Sequence, residues 1–427
     1  MLIEATTQTA EGNVYILQGD DDLHVGLGVT LTTTWSDPVS HTGADTVISW
    51  VGSHVITVEG TLIGADDAIN LVGCVTAQTV TINATGVLIS GGDGVVADAD
   101  GVILDGLGSV LHNAGTITSY GSAASLVVPD GGTTTVTNSG TMTGRVAGVW
   151  HKWGTGTLVL TNTGVIESPG HAVLGGTSAD LVTNRGKLRG LVDLGGGDDL
   201  LDTRGGTVTG AILGGDGDDR FVTGTGHETI DGGQGIDTLD FSMANSGVTV
   251  NLSDSALNAG SLALGDVYSG IETVLGTSKV DRLTGDTLDN TLCGNGSADV
   301  LLGKAGNDTL TGGMGKDTLT GGTGADDFVF TQTTGNADRI IDFAHAEDRI
   351  LISAAAFGYG ATLGPLPAAD FVTATNTRAL DATDRFIFRT TDQTLWYDRD
   401  GTGTAVAVLV ADLQAGAVLT ASDILLV

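Results

Sequence analysis

Apolar residues recur at every second position in many short runs of this chain. Thr116-Ile117-Thr118 and Val165-Ile166-Glu167 are such short runs, and Asn13-Val14-Tyr15-Ile16-Leu17 is strand-like too. Alternation with period two puts one set of side chains on one face, the mark of a half-buried strand. No long amphipathic or continuously apolar helical stretch accompanies these runs. Runs this short cannot stand alone and need the same strand of a neighbouring coil to pair with.

A corner motif punctuates them between about residues 60 and 190. It reads Ile82-Asn83-Ala84-Thr85-Gly86, His112-Asn113-Ala114-Gly115, Thr137-Asn138-Ser139-Gly140, Thr161-Asn162-Thr163-Gly164 and Thr183-Asn184-Arg185-Gly186. From Asn113 the asparagines are 25, 24 and 22 residues apart. A repeat of that length specifies a solenoid, here a right-handed parallel β-helix over 61–190. The asparagines should stack at one corner, their amides bonding to the turn and to one another. The glycine that follows should take a positive φ at the bend. A β-sandwich is the alternative, but sandwiches rarely repeat one corner at this spacing. Residues 1–60 are expected to form a strand-rich cap or the first coils.

A second, sharper period of nine follows the form G-G-x-G-x-D-x-L-x, with L a large apolar residue. Gly214-Gly215-Asp216-Gly217-Asp218-Asp219-Arg220-Phe221-Val222 and Gly232-Gly233-Gln234-Gly235-Ile236-Asp237-Thr238-Leu239-Asp240 fit at every position. Worn copies carry Asp199 and Glu228 at the acidic place. Units then begin at Gly276, Gly285, Gly294, Gly303, Gly312 and Gly321, with Asp281, Asn290, Asp299, Asp308, Asp317 and Asp326 at the sixth position. The expected architecture is all-β. The β-helix continues into a parallel β-roll of two blocks, 191–240 and 276–330, separated by a β segment at 241–275. A β-rich cap over 331–427 closes the chain.

Composition narrows the function. The 427 residues include 51 acidic against 17 basic ones, a formal net charge of −34. A nucleic-acid backbone would repel such a surface. With 41% hydrophobic residues this is no disordered acidic chain, and 68 glycines beside 5 prolines without a G-x-y period exclude collagen. Cys74 and Cys293 are too few for a disulfide framework. The start, Met1-Leu2-Ile3-Glu4, lacks the basic and apolar regions of a secretory signal. No run reaches the roughly 18 apolar residues of a membrane helix.

The acids sit in the nonapeptide turns, and that placement points to metal. Glycines let a G-G-x-G-x-D turn bend its carbonyls toward a common point, and the aspartate adds a hard anionic oxygen. Calcium takes six to eight such oxygens and tolerates irregular geometry, whereas magnesium demands a small octahedral site. Without metal the stacked aspartates repel, and short strands rich in glycine bury too little to compensate. Folding and calcium binding should therefore be coupled. The bland alternative is a row of ordinary Asx turns. Lys279, Asn290 and Ser297 depart from the pattern, so the turns from Gly276 to Gly294 should bind weakly or not at all.

These nonapeptides closely resemble the RTX, or repeats-in-toxin, family of secreted calcium-binding proteins. The resemblance implies several Ca2+ ions held between successive turns. It points to the carboxylates of Asp219, Asp237, Asp299, Asp308, Asp317 and Asp326, with Asp199 and Asp281 added. The turn glycines Gly215, Gly217, Gly233, Gly235, Gly306, Gly313, Gly315, Gly322 and Gly324 belong to the same sites. Asp338, Asp342 and Asp348 lie in a segment similar to the family's closing cap. Leu395-Trp396-Tyr397-Asp398-Arg399-Asp400-Gly401 and the ending at Val427 look like a type I secretion region. That implies an ABC exporter as partner and an extracellular or cell-surface location.

RTX tails are joined to many activities, so the repeat does not choose one. H-E-x-x-H and G-x-S-x-G are both absent from the sequence, against a metalloprotease or a lipase of the usual types. No catalytic residue is assigned. In Trp150-His151-Lys152-Trp153, the residues Trp150, His151 and Trp153 are candidates for binding a cell-surface glycan or a self-assembly partner. Scattered acids such as Asp98 and Asp100 form no recognisable proton-transfer pair. The leading reading is a calcium-stabilised structural or adhesive protein. The alternative is a secreted polysaccharide lyase, hydrolase or epimerase using the β-helix.

Overall fold

A computed structural model describes residues 1–11, 13–34, 45–49, 51–91, 99–333 and 337–427. Asp98 lies outside them. The chain divides into two compact units, Met1–Asp237 and Thr238–Val427. Among the described residues the only helical elements are three single 3-10 turns, and no helix is long and apolar enough to cross a membrane. The chain is a parallel β-helix and β-roll with a β-rich cap.

In the first unit, strands from successive coils pair in parallel: Val55–Val58, Thr79–Ile82, Val110–Asn113, Thr133–Asn138, Thr157–Asn162, Leu181–Asn184, Leu200–Asp202 and Arg220–Val222. Register aligns Ile56, Val80, Leu111, Val136, Leu160, Val182, Leu201 and Phe221 in one fully buried column. Each such side chain contributes about 1.5–3 kcal/mol by leaving water. Middle coils carry three strands, as in Thr133–Asn138, Thr141–Gly144 and Ala147–Trp153.

The corner asparagines stack as expected. Asn113 Nδ2 donates to Asn138 Oδ1 at 2.7 Å, Asn138 to Asn162 at 2.8 Å, and Asn162 to Asn184 at 2.8 Å. Asn83 stays out, because register puts Ile82 opposite Asn113; its amide donates to Glu59 instead. The corner glycines serve differently from expectation. Gly115, Gly140, Gly164 and Gly186 do not have positive φ. A Cβ on any of them would lie 2.1–2.2 Å from the carbonyl oxygen of the equivalent glycine one coil back. Close stacking, not handedness, requires them.

The second unit stacks its coils into two parallel sheets. One sheet stacks Thr273–Leu275, Thr291–Cys293, Thr309–Thr311, Asp327–Phe330, Arg349–Ile352 and Ile424–Leu426. The other stacks Thr249–Asn251, Arg282–Thr284, Val300–Ala305, Thr318–Thr323, Asp338–Ile340 and Val408–Leu413. The eighth-position residues Leu283, Leu292, Leu301, Leu310, Leu319 and Phe328 are all fully buried between the sheets. An antiparallel set, Phe386–Arg389, Thr394–Tyr397 and Val408–Leu413, closes the unit. Phe357 packs there, 4.9 Å from the Tyr397 ring.

Candidate metal centre

Most nonapeptide turns end on a buried aspartate whose carboxylate joins the turn to the preceding coil. In the first unit the amide of Leu158 donates to Asp180 Oδ1 at 2.7 Å. Asp180 donates to Asp199 at 2.6 Å, Asp199 to Asp219 at 2.8 Å, and Asp219 to Asp237 at 2.8 Å. In the second unit, one edge runs Val248 to Asp281, Asp281 to Asp299, Asp299 to Asp317 and Asp317 to Asp338, at 2.7–3.0 Å. The other runs Asn290 to Asp308, Asp308 to Asp326 and Asp326 to Asp348, at 2.8–3.0 Å. One carboxylate oxygen per turn is thus occupied by backbone.

The other oxygen sorts the turns into two kinds. In Asp199, Asp219, Asp299, Asp308, Asp317 and Asp326, Oδ2 is buried without a hydrogen-bond partner. We call these turns open. In the closed turns the second-position amide bonds to the sixth side chain: Thr277 donates to Asp281 Oδ2 at 2.6 Å, and Asp286 to the one side-chain oxygen of Asn290 at 2.8 Å.

Backbone handedness follows the same division. Open turns have positive φ at the second and fourth positions, as at Gly215 and Gly217, Gly313 and Gly315, and Gly322 and Gly324. Gly233 and Gly235, before Asp237, share it, as does Gly306 before Asp308. Thr277, Lys279, Asp286 and Leu288 do not. Asn295, Ser297 and Lys304 hold φ of 70°, 77° and 91° without being glycine, a conformation uncommon for such residues. Turn 294–299 is therefore open despite its missing glycines. Of the turns from Gly276 to Gly294, where weak binding is expected, 276–281 and 285–290 have the closed geometry, and Asp281 Oδ2 is already taken.

Burial, with neighbouring carboxylates adding to it, pushes Asp199 and Asp299 up to about 8 and Asp219 and Asp308 up to about 6. Burial also raises Asp317 and Asp326. Such oxygens need either a proton or a cation.

The surroundings suit a hard cation. A Cβ at Gly214 would lie 2.1 Å from Asp219 Oδ2 and 2.3 Å from Gly232 O. At Gly303 it would meet Asp308 Oδ2 at 2.2 Å and Gly321 O at 2.6 Å. Carboxylate and carbonyl oxygens thus converge beside Gly214, Gly294 and Gly303, an all-oxygen set that fits calcium rather than zinc. Asp342 adds a clamp: Gly321 and Gly322 donate their amides to its two oxygens at 3.0 and 2.8 Å.

Two features escaped the sequence reading. The segment Gly175-Gly176-Thr177-Ser178-Ala179-Asp180-Leu181-Val182-Thr183 is a worn nonapeptide whose serine hides the pattern. Fifth-position side chains also form rungs, Asp198 accepting from Asp218 at 2.9 Å and Asp218 from Ile236 at 2.8 Å.

The proposed ligand group does not assemble. Strand alternation turns His151 into the core, where it is 3% exposed, so it cannot meet a surface ligand. Trp153 is exposed and Trp150 half-buried. Lys152 Nζ lies 4.9 Å from the Trp150 ring centre, 4.6 Å from that of Trp153 and 3.6 Å from Asp100 Oδ2.

Comparison with known proteins agrees with the turn geometry. The family model of the RTX calcium-binding nonapeptide repeat matches residues 211–239 and 294–328, in four copies. The second match begins where the open turns of that unit begin. These stretches are RTX repeats, and they bind calcium. Among solved structures, the chain is similar to the AlgE6R3 subunit of the Azotobacter vinelandii mannuronan C5-epimerase. The two are 29% identical over 34% of this chain and 78% of that one, with a TM-score of 0.24. No curated protein matches the chain.

Proposed function

We propose that this chain, whose β-roll is made of RTX calcium-binding repeats, is a secreted structural or adhesive protein that folds its roll on meeting calcium outside the cell. The observation that carries the reading is the row of buried, unpartnered Oδ2 atoms at Asp199, Asp219, Asp299, Asp308, Asp317 and Asp326. Each is a site of unfavourable energy in a metal-free roll and of favourable energy with calcium bound. Low calcium before export would keep the roll unfolded and threadable; high calcium afterwards would close it. RTX proteins are typically exported by type I systems, which supports an ABC exporter as transient partner.

Asp219, Asp299, Asp308, Asp317 and Asp326, with Asp199 and Asp237, would hold the ions together with carbonyls of the glycine turns. When bound, calcium supplies charge neutralisation and a bridge between successive coils. The β-helix would present the attachment surface, with Trp150 and Trp153 as the aromatic contact.

The test is circular dichroism of the full chain through chelation and calcium return, beside a glycan binding and degradation screen in calcium. Reversible loss and recovery of strand signal, with glycan binding but no product, is the expected result. Unchanged strand signal without calcium sinks the folding half of the proposal. Product formation sinks the nonenzymatic half.

A further inference from the structure

The ladder of inward aspartates must stop somewhere inside the first unit, and its end is unlike its middle. Turn 175–180 stacks on turn 194–199 in the register of the calcium-binding turns. A Cβ at Gly195 would lie 2.2 Å from Gly176 O, as one at Gly215 would lie 1.9 Å from Gly195 O and one at Gly233 2.2 Å from Gly215 O. Asp180 occupies the sixth position and takes the Leu158 amide on Oδ1, like every aspartate below it.

Its Oδ2, however, is already provided for. The Gly176 amide donates to it at 3.2 Å, and Nδ1–H of His151 donates to it at 3.2 Å. Both side chains are fully buried. The imidazole lies against the turn itself, since a Cβ on Gly176 would fall 2.4 Å from His151 Nδ1. Ser178 stands at the fourth position without the positive φ that Gly197, Gly217 and Gly235 have there. One coil further back, the corner residue is Leu158, apolar and fully buried. The corner thus passes from carboxylates with an unpartnered oxygen, through one carboxylate held by nitrogen donors, to hydrocarbon.

We infer that His151 is a positioning residue that stands in for the cation at the upstream end of the ladder, and so sets the limit of calcium-dependent folding in the first unit. At this corner, turn 175–180 has both oxygens of Asp180 matched without metal, whereas the turns ending on Asp199 and Asp219 do not. This rests on the reading that calcium folds the roll. An N–H donor satisfies one carboxylate oxygen within a single corner, so the β-helix needs no external ion to bury Asp180.

Hydrogen exchange read by mass spectrometry on the full chain, in calcium and after chelation, tests this. In the unmodified protein, chelation should unprotect Arg220–Val222 and Thr229–Gln234 while Thr157–Asn162 and Leu181–Asn184 stay protected. His151→Leu keeps the volume and removes the donor. After chelation it should speed exchange in Leu181–Asn184 by roughly 100-fold or more, by leaving a fully buried carboxylate charge to two backbone amides alone. His151→Leu with Asp180→Asn removes the charge too and should restore protection.

Equal losses in the single and double variants would mean that His151 only fills space, and would overturn the proposal. So would joint loss of Leu181–Asn184 and Arg220–Val222 on chelating the unmodified protein, an outcome that leaves calcium-coupled folding standing. Continued protection of Arg220–Val222 after chelation would instead remove calcium-coupled folding, and the stop with it.

Discussion

The amide of Asp308 donates to Oδ1 of Asp326, eighteen residues further along the chain, at 2.9 Å. The same bond recurs at almost every turn edge of the roll and leaves the second oxygen of each open turn buried and unmatched. Stability of the roll therefore depends on what neutralises those oxygens.

Asp317→Asn removes a charge from an open turn, whereas Asp281→Asn alters a turn already closed by Thr277. Calcium affinity follows ligand charge and count. In calcium titrations followed by circular dichroism, Asp317→Asn should raise the midpoint roughly tenfold and Asp281→Asn much less. Equal shifts would contradict the distinction between open and closed turns.

Acid should replace calcium in part. Asp199 and Asp299 titrate near 8, and Asp219 and Asp308 near 6, in the folded, metal-free roll, against about 3.9 when unfolded. The folded state then binds more protons, so the metal-free roll gains stability as pH falls from about 8 toward 4 and loses it as pH rises. Calcium competes with those protons, so its apparent affinity should rise between pH 6 and 8. Chelated protein should show more strand signal at about pH 5 than at about pH 8; the reverse order would refute this.

Gly321→Ala puts a methyl 2.1 Å from Asp326 Oδ2 at ordinary backbone angles, while Gly296→Ala meets nothing closer than 3.7 Å. Overpacking of this kind costs about 1–3 kcal/mol. Thermal unfolding in calcium should show Gly321→Ala clearly destabilised and Gly296→Ala close to the unmodified protein.

Asn138→Ala breaks a fully buried ladder, since its amide donates to Asn162 and its oxygen accepts from Asn113. Stranding those partners costs about 1–3 kcal/mol each. The loss should be the same with and without chelator, because this corner holds no calcium turn. Asn83→Ala, outside the ladder, should lie within about 0.5 kcal/mol of neutral by the same melts.

Much of this was readable before any fold was known, because solenoids translate period into geometry. The inward leucines at 283, 292, 301, 310 and 319 follow from period nine alone, and the asparagine corner from its spacing. Asn83 misled because the motif fits there, yet its coil is longer and the register slips by one residue. Asp180 was overlooked because a single serine, Ser178, breaks the glycine pattern. His151 looked like a surface residue between two tryptophans, but a strand alternates and one of the four had to face inward.

The linear order of residues was enough to determine the coil length, the inward apolar columns and the oxygen-rich chemistry of the turns, since each depends on spacing along a locally extended chain. Tertiary structure alone decided which turns stand open. That choice rests on whether the second amide or a neighbouring side chain reaches the last carboxylate oxygen, a matter of backbone handedness and of residues tens of positions away.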